Sequence, residues 1–96
     1  MKTFNDLEFE SMSDEFLSGK KSRIVFDNGW GASVVSHSYS YGGKKGLYEV
    51  GVLDINGDLH YDNPVAGGDV IGYLKEEEVT EVLKAIQEYE RFDQEV

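Results

Sequence analysis

The chain has 96 residues, a formal net charge of −10 at neutral pH and no cysteine, and 40% of its residues are hydrophobic. This length and apolar content predict one folded domain over residues 1–96 with a single core. The charge excludes non-specific binding to DNA, RNA and anionic membranes and favours a partner with a basic surface. The absence of cysteine excludes disulfides and thiolate metal sites.

Alternation of apolar and polar residues predicts strands through the first two thirds of the chain, except in "GASVVSHSY", where the β-branched valines favour a strand. Leu7 and Phe9, for example, alternate with glutamates, as in a strand with one buried face. The stretch 11–20 shows no such alternation, and it favours a turn of helix or a packed loop. The predicted strands lie, in chain order, in "FNDLEFE", "SRIVFDNG", "GASVVSHSY", "LYEVGVLD" and, as a short fifth strand, "DLHY".

Two Asn-Gly pairs separate these runs and predict tight reversals of the chain. Asn28-Gly29 follows the second predicted strand, and Asn56-Gly57 follows the fourth. Asn-Gly accepts the positive φ angles that two-residue hairpin turns require. The strands are therefore predicted to form an antiparallel meander.

The C-terminal segment has the spacing of an amphipathic α-helix. Three glutamates, Glu76–Glu78, occupy its first turn, where the positive end of the helix dipole favours them. Apolar residues then recur at steps of three and four and form one stripe. We therefore predict an α+β fold, with an antiparallel sheet of four to five strands and one C-terminal helix packed on one face. The stripe comprises Val79, Val82, Leu83, Ile86, Tyr89 and Phe92.

The segment "SHSYSYGGKKG" joins two predicted strands and is one candidate site. Its glycines do not have the spacing of a phosphate-binding loop, and no helix follows it. One interpretation is a plain connection between strands. The other is a protein-binding tip, because Tyr39 and Tyr41 offer large contact area at low entropy cost and Lys44 and Lys45 add charge.

The glycine-flanked Trp30 and the helix carboxylates are further candidates for partner binding. Trp30 is either the aromatic anchor of an interface or a core residue. Glu77, Glu81 and Glu88 form either a solvated helix face or a mimic of a nucleic-acid backbone, in which carboxylates replace phosphates.

The sequence predicts no catalytic, metal or cofactor site. "DINGDLHYD" lacks the glycine and glutamate that a calcium loop needs at its sixth and twelfth positions, so a hairpin turn is the better interpretation. His37 and His60 have no spacing that directs them to a common metal or to a nucleophile. We therefore expect a protein that is not an enzyme.

The stretches "FDNGWGASVVSHSYSYGGKKGLYEVGVLD", "YDNPV", "VIGYL" and "EEEVTEVLKAIQE" together resemble small accessory proteins of tailed bacteriophages. The resemblance covers roughly residues 23–90. Lys75 stands where that group has serine or threonine before the glutamates, so a capping box is predicted to be absent. The resemblance implies action in the cytoplasm of an infected bacterium, and the sequence shows neither a secretory signal nor a membrane-spanning run.

Short acidic phage proteins of this kind often act by covering a host protein. The resemblance thus implies a phage-encoded protein that binds and inhibits or redirects a host protein, for example a CRISPR, restriction or other nucleic-acid-acting defence component. The alternative is a phage structural or assembly protein that self-associates, for example as a homodimer through an exposed edge strand.

Overall fold

The computed structural model describes residues 1–13, 18–38, 40, 43–60, 65 and 70–90. Within these residues the chain forms five strands, one α-helix and two short 3-10 turns. The elements are, in chain order, a 3-10 turn (Phe4–Asp6), β1 (Glu10–Ser13), β2 (Ser18–Val25), β3 (Gly31–His37), a second 3-10 turn (Gly43–Lys45), β4 (Tyr48–Leu53), β5 (Ile71–Leu74) and α1 (Glu76–Glu88).

The five strands form one antiparallel sheet in the order β1-β2-β3-β4-β5. Every strand therefore pairs with its neighbours along the chain, as in a meander. The helix α1 packs against β3, β4 and β5 on one face of this sheet. The predicted α+β fold, with its meander and its C-terminal helix, is confirmed.

The core lies between the sheet and α1. Val34 of β3 and Val50 of β4 face three helix residues, Val79, Leu83 and Ile86, and all five side chains are completely buried. Burial of one such side chain contributes about 1.5–3 kcal/mol to folding. The remaining buried members of the core are Phe26, Trp30, Ala32, Tyr48, Val52 and Leu74.

Both predicted Asn-Gly reversals are present. In each pair only the glycine has a positive φ, 90° at Gly29 and 84° at Gly57. The asparagines are therefore not required for left-handed backbone, contrary to the prediction of a two-residue hairpin turn. The Asp54 carboxylate fixes the second turn by accepting the backbone N–H of Asn56 at 2.9 Å.

The predicted N-terminal strand is wrong. Residues Phe4–Asp6 form a 3-10 turn, and the first strand, Glu10–Ser13, begins at the last residue of the predicted one and continues into the stretch 11–20, which favoured a turn of helix or a packed loop. Phe4 and Phe9 instead pack on the ring of Tyr48, at centroid distances of 5.1 and 5.8 Å. Leu7 and Phe9, which alternate with glutamates, also pack against the core. Their segment forms no ladder with any described strand, so alternation arises here without a strand.

The fifth strand is misplaced in the prediction. In "DLHY", Leu59 makes an isolated bridge with Leu53, and Tyr61 lies outside the described residues. The fifth strand is Ile71–Leu74, which pairs with β4 through an irregular register. At this irregularity Tyr73 has a φ of 59°, unusual for a residue other than glycine. The bulge removes the two-residue period, so alternation does not reveal the strand.

Candidate interaction surface

The three candidate glutamates of α1 share one solvent-exposed surface. Glu77, Glu81 and Glu88 are all exposed, and at 3.6 residues per turn they lie within about 40° of one another, opposite the buried stripe. The first and last are about 16 Å apart along the helix axis. We call these three residues the acidic face.

One lysine lies within the acidic face. Lys84 Nζ is 3.8 Å from a carboxylate oxygen of Glu81, and both side chains are largely exposed. An exposed pair of this kind stabilises the fold by at most about 1 kcal/mol. The pair leaves most of the negative charge of the acidic face available to a partner.

The start of α1 is fixed by half of a capping box. The backbone N–H of Lys75 donates to the Glu78 carboxylate at 2.9 Å. A lysine side chain has no acceptor for the reciprocal bond, so the other half of the box does not form. The prediction that the box is absent is therefore wrong for its Glu78 half, and the helix start is better fixed than expected.

The N-terminal segment fastens one flank of α1. The amide of Gln87 forms a reciprocal pair with the backbone of Lys2, accepting its N–H and donating to its carbonyl, each at 2.8 Å. The backbone N–H of Phe4 donates to Thr80 Oγ1 at 3.0 Å. Residues 2–4 thus hold the helix along two of its turns.

The end of α1 is held by Asn28 of the first Asn-Gly turn. Its Nδ2 group lies 2.8 Å from the carbonyl of Ile86 and 3.2 Å from the carbonyls of Gln87 and Tyr89. The Ile86 carbonyl also accepts the backbone N–H of Tyr89 at 3.2 Å, and the two amide hydrogens of Asn28 are shared among the three carbonyls at the helix end. The sequence analysis missed this role because an Asn-Gly pair indicates only a turn.

Of the two roles predicted for Trp30, the structure supports that of a core residue. Its side chain is only 6% exposed, and its indole N–H donates to the carbonyl of Glu90 at 2.9 Å. The ring packs edge-to-face on His60 and Tyr89. Trp30 therefore contributes to the core and presents almost no surface to solvent.

The predicted binding tip is described only in part. Tyr39, Tyr41 and the side chain of Lys44 lie outside the described residues, and Lys45 is exposed. The segment connects β3 to β4, and Ser40 closes it, because its hydroxyl accepts the N–H of His37 at 2.9 Å. The role of the tip in binding stays a prediction.

The second reversal brings a histidine and a carboxylate together. His60 Nδ1 lies 3.8 Å from Asp54 Oδ2. Within the described ranges, no group of three or more His, Cys, Asp and Glu side chains is placed to hold a metal ion. None of the helices in the described part of the chain has the length and apolarity needed to cross a membrane.

Comparisons with protein-family models, with curated proteins and with solved structures found no match for this chain. The candidate surface therefore rests on its own geometry. Of the residues selected from sequence, the structure brings Glu77, Glu81 and Glu88 onto one face and places Trp30 in the core.

Proposed function

We propose that this protein is a binding protein, not an enzyme, and that its acidic face covers a basic nucleic-acid-binding surface of another protein. The observation that carries the proposal is the acidic face itself. Its three exposed carboxylates lie on a helix whose start, flank and end are each fixed by hydrogen bonds. Because the helix is held in place, its backbone has no ordering cost when a partner binds, and only the glutamate side chains lose rotamer freedom.

The spacing of the carboxylates suits groups that normally contact phosphates. Glu77 and Glu81 are about 6 Å apart along the helix axis, whereas phosphates on one DNA strand recur about every 3.4 Å along its axis. Glu77 and Glu81 thus match roughly every second phosphate, whereas Glu81 and Glu88, about 10 Å apart along the axis, match roughly every third. Arginine and lysine side chains that contact a nucleic-acid backbone also form charge-assisted hydrogen bonds with carboxylates.

The resemblance to phage accessory proteins supports the choice of partner. We propose a bacterial host protein that acts on nucleic acid, for example a CRISPR or restriction component, which this protein inhibits or redirects in the host cytoplasm. Such a component carries the basic groove that the acidic face requires. The overall charge of −10 adds attraction to that groove before contact is made.

The test is capture of partners from a bacterial lysate by immobilised protein carrying Glu77→Gln, Glu81→Gln and Glu88→Gln. A control variant carries Asp58→Asn, Glu76→Gln and Glu90→Gln, three exposed acids outside the acidic face. Both variants change the net charge from −10 to −7, that is −10 + 3. Partner capture should be lost in the first variant and kept in the control.

Equal capture by the two variants would show that the acidic face is not the contact surface. Fluorescence of Trp30, the single tryptophan, reports whether each variant is folded. Because the substituted side chains are exposed, the free energy of unfolding of each variant should lie within about 0.5 kcal/mol of the wild-type value.

A further inference from the structure

The strand β2 is paired along only half of its outer edge. β2 runs from Ser18 to Val25, whereas β1 pairs with it only from Ser18 to Lys21. Beyond Lys21, no described residue forms a ladder with β2 on the side away from β3. We call the segment Ser22–Val25 the open edge.

The backbone of the open edge directs hydrogen-bonding groups outward. The N–H of Phe26 donates to Trp30 at 2.8 Å, and the carbonyl of Ser18 accepts from Ser38 at 3.1 Å, so even-numbered residues of β2 face β3. Successive residues of a strand point their backbone groups to opposite sides. The N–H and C=O groups of Arg23 and Val25 therefore point away from the sheet.

Two cavities lie beside the open edge. One has a volume of about 310 Å³ and is bounded by Glu8, Glu10 and residues 21–23. The other, of about 260 Å³, adjoins residues 25–28 and is bounded by Met1, Lys2 and Gln87. Space for an additional chain thus exists at both ends of the open edge, between β2 and the N-terminal segment.

Two side chains of the open edge, one apolar and one polar, are in environments that are unfavourable for them. Val25 is an apolar strand residue and yet is 71% exposed. Ser22 Oγ is buried and has no hydrogen-bond partner in the described structure, and Ser22 lines the larger cavity. Buried polar groups are nearly always paired, so this hydroxyl offers one unpaired polar group beside the cavity.

The two edges of the sheet differ. At the far edge, β5 carries the bulge at which Tyr73 has a φ of 59°. Bulged edges resist the addition of another strand. The regular backbone of β2 has no such irregularity in its pairing with β3. The open edge is therefore the better of the two for strand addition.

We propose that the open edge binds an extended peptide segment of a partner protein, which adds as a short strand antiparallel to β2 and in line with β1. Main-chain groups of the peptide would pair with Arg23 and Val25. A β-branched side chain opposite Val25 would cover its exposed surface.

Charge predicts a basic residue at the C-terminal end of this peptide. That end adjoins Glu10, the first residue of β1, and Glu8 lines the same cavity. Lys21, which lies opposite Glu10 and lines the same cavity, offsets one of these two carboxylates. The Arg23 guanidinium does not offset the other, because it extends across the sheet and donates to the carbonyl of Gly57 at 3.1 Å. A lysine of the peptide opposite Arg23 would meet the remaining carboxylate.

The test uses NMR and the blocked peptide acetyl-Thr-Val-Thr-Lys-Thr-amide, with its valine opposite Val25 and its lysine opposite Arg23. Titration should shift the amide signals of Arg23 and Val25 saturably and slow their hydrogen exchange at least about tenfold. A peptide N-methylated at Val and Lys lacks the donors that face β2 and should not bind. N-methylation at the central Thr, whose N–H faces outward, should leave binding intact.

A pair of protein variants makes the same distinction. Val25→Pro removes an outward N–H that bonds to no described residue, so the fold should persist while peptide binding is lost. Val25→Thr keeps the N–H and should bind. The proposal is overturned if no saturable shift occurs up to roughly 5 mM peptide, or if Val25→Pro binds as well as Val25→Thr.

The open edge is a separate surface from the acidic face, and the two proposals fail separately. The variant carrying Glu77→Gln, Glu81→Gln and Glu88→Gln should bind the peptide as the wild type does. Exchange protection of Arg23 and Val25 that rises with protein concentration, without peptide, would show that a second copy occupies the open edge and would overturn the assignment to a foreign peptide.

Discussion

Asn28 joins the turn between β2 and β3 to the end of α1 through a single side chain. Its amide hydrogens reach three carbonyls of the helix terminus, and its Oδ1 accepts the backbone N–H of Trp30 at 3.2 Å. Trp30 in turn donates to Glu90, just beyond the helix. One turn therefore fixes the position of the helix end that carries Glu88.

Replacing Asn28 by aspartate should destabilise the fold. Asn28→Asp removes the donors to the helix carbonyls and places a negative charge at the negative end of the helix dipole. We expect the free energy of unfolding to fall by about 2–3 kcal/mol in urea denaturation followed by Trp30 fluorescence.

The matched control is Asn56→Asp, because Asn56 occupies the same position in the other Asn-Gly turn and is exposed. It should change the free energy of unfolding by less than about 0.5 kcal/mol. Equal effects at the two positions would contradict the role assigned to the Asn28 side chain.

At the scale of elements, the helix is the part of the fold that its sequence specifies best. The apolar stripe recurs over three turns, and no strand has that period. The structure also shows that the residues of the stripe differ in how deeply they are buried. Val79, Leu83 and Ile86 are fully buried, whereas Val82 lies at the edge of the core and is partly exposed.

Two valines of α1 provide a matched test of this packing. Val79→Ala removes two methyl groups from a fully buried site and should lower the free energy of unfolding by about 2 kcal/mol. Val82→Ala removes the same groups from a partly exposed site and should lower the free energy of unfolding by about half as much. Both values come from urea denaturation, and a larger loss at Val82 would contradict the orientation of the helix.

The strands show why alternation alone is an incomplete guide. β3 was predicted from its β-branched valines, and β4 was predicted because Tyr48, Val50 and Val52 keep a two-residue period, which places all three in the core. β5 was missed because its inward residues, Ile71 and Leu74, are three apart across the bulge. Whether the inward residues of a strand recur every two positions depends on how the strand pairs with its neighbours, and the sequence of the strand does not show that pairing.

The candidate surface was predictable only where it depends on local periodicity. The common face of Glu77, Glu81 and Glu88 follows from helix geometry. Burial of Trp30 does not, because its hydrogen-bond partner, Glu90, lies 60 residues away along the chain. The open edge depends on the shortness of β1 relative to β2, which no residue pattern in either segment indicates.

At the scale of the whole molecule, the exposed carboxylates lie on the helix that the rest of the fold holds in place. The acidic face lies on the outer surface of a helix, and the core, the N-terminal segment and Asn28 hold that helix in place. A partner that binds this face displaces counterions and water from its carboxylates, as a protein that binds a nucleic-acid backbone does from the phosphates. Binding should therefore depend on salt and exclude nucleic acid.

The most direct test of this account is competition between this protein and duplex DNA for the partner captured from a bacterial lysate. The complex is titrated with a DNA duplex of about 20 base pairs at fixed, moderate salt, and the bound fraction of each ligand is measured. We predict mutually exclusive binding, with DNA displacing the protein fully. A ternary complex, in which DNA and the protein occupy the partner together, would contradict the claim that the acidic face takes the place of a nucleic-acid backbone.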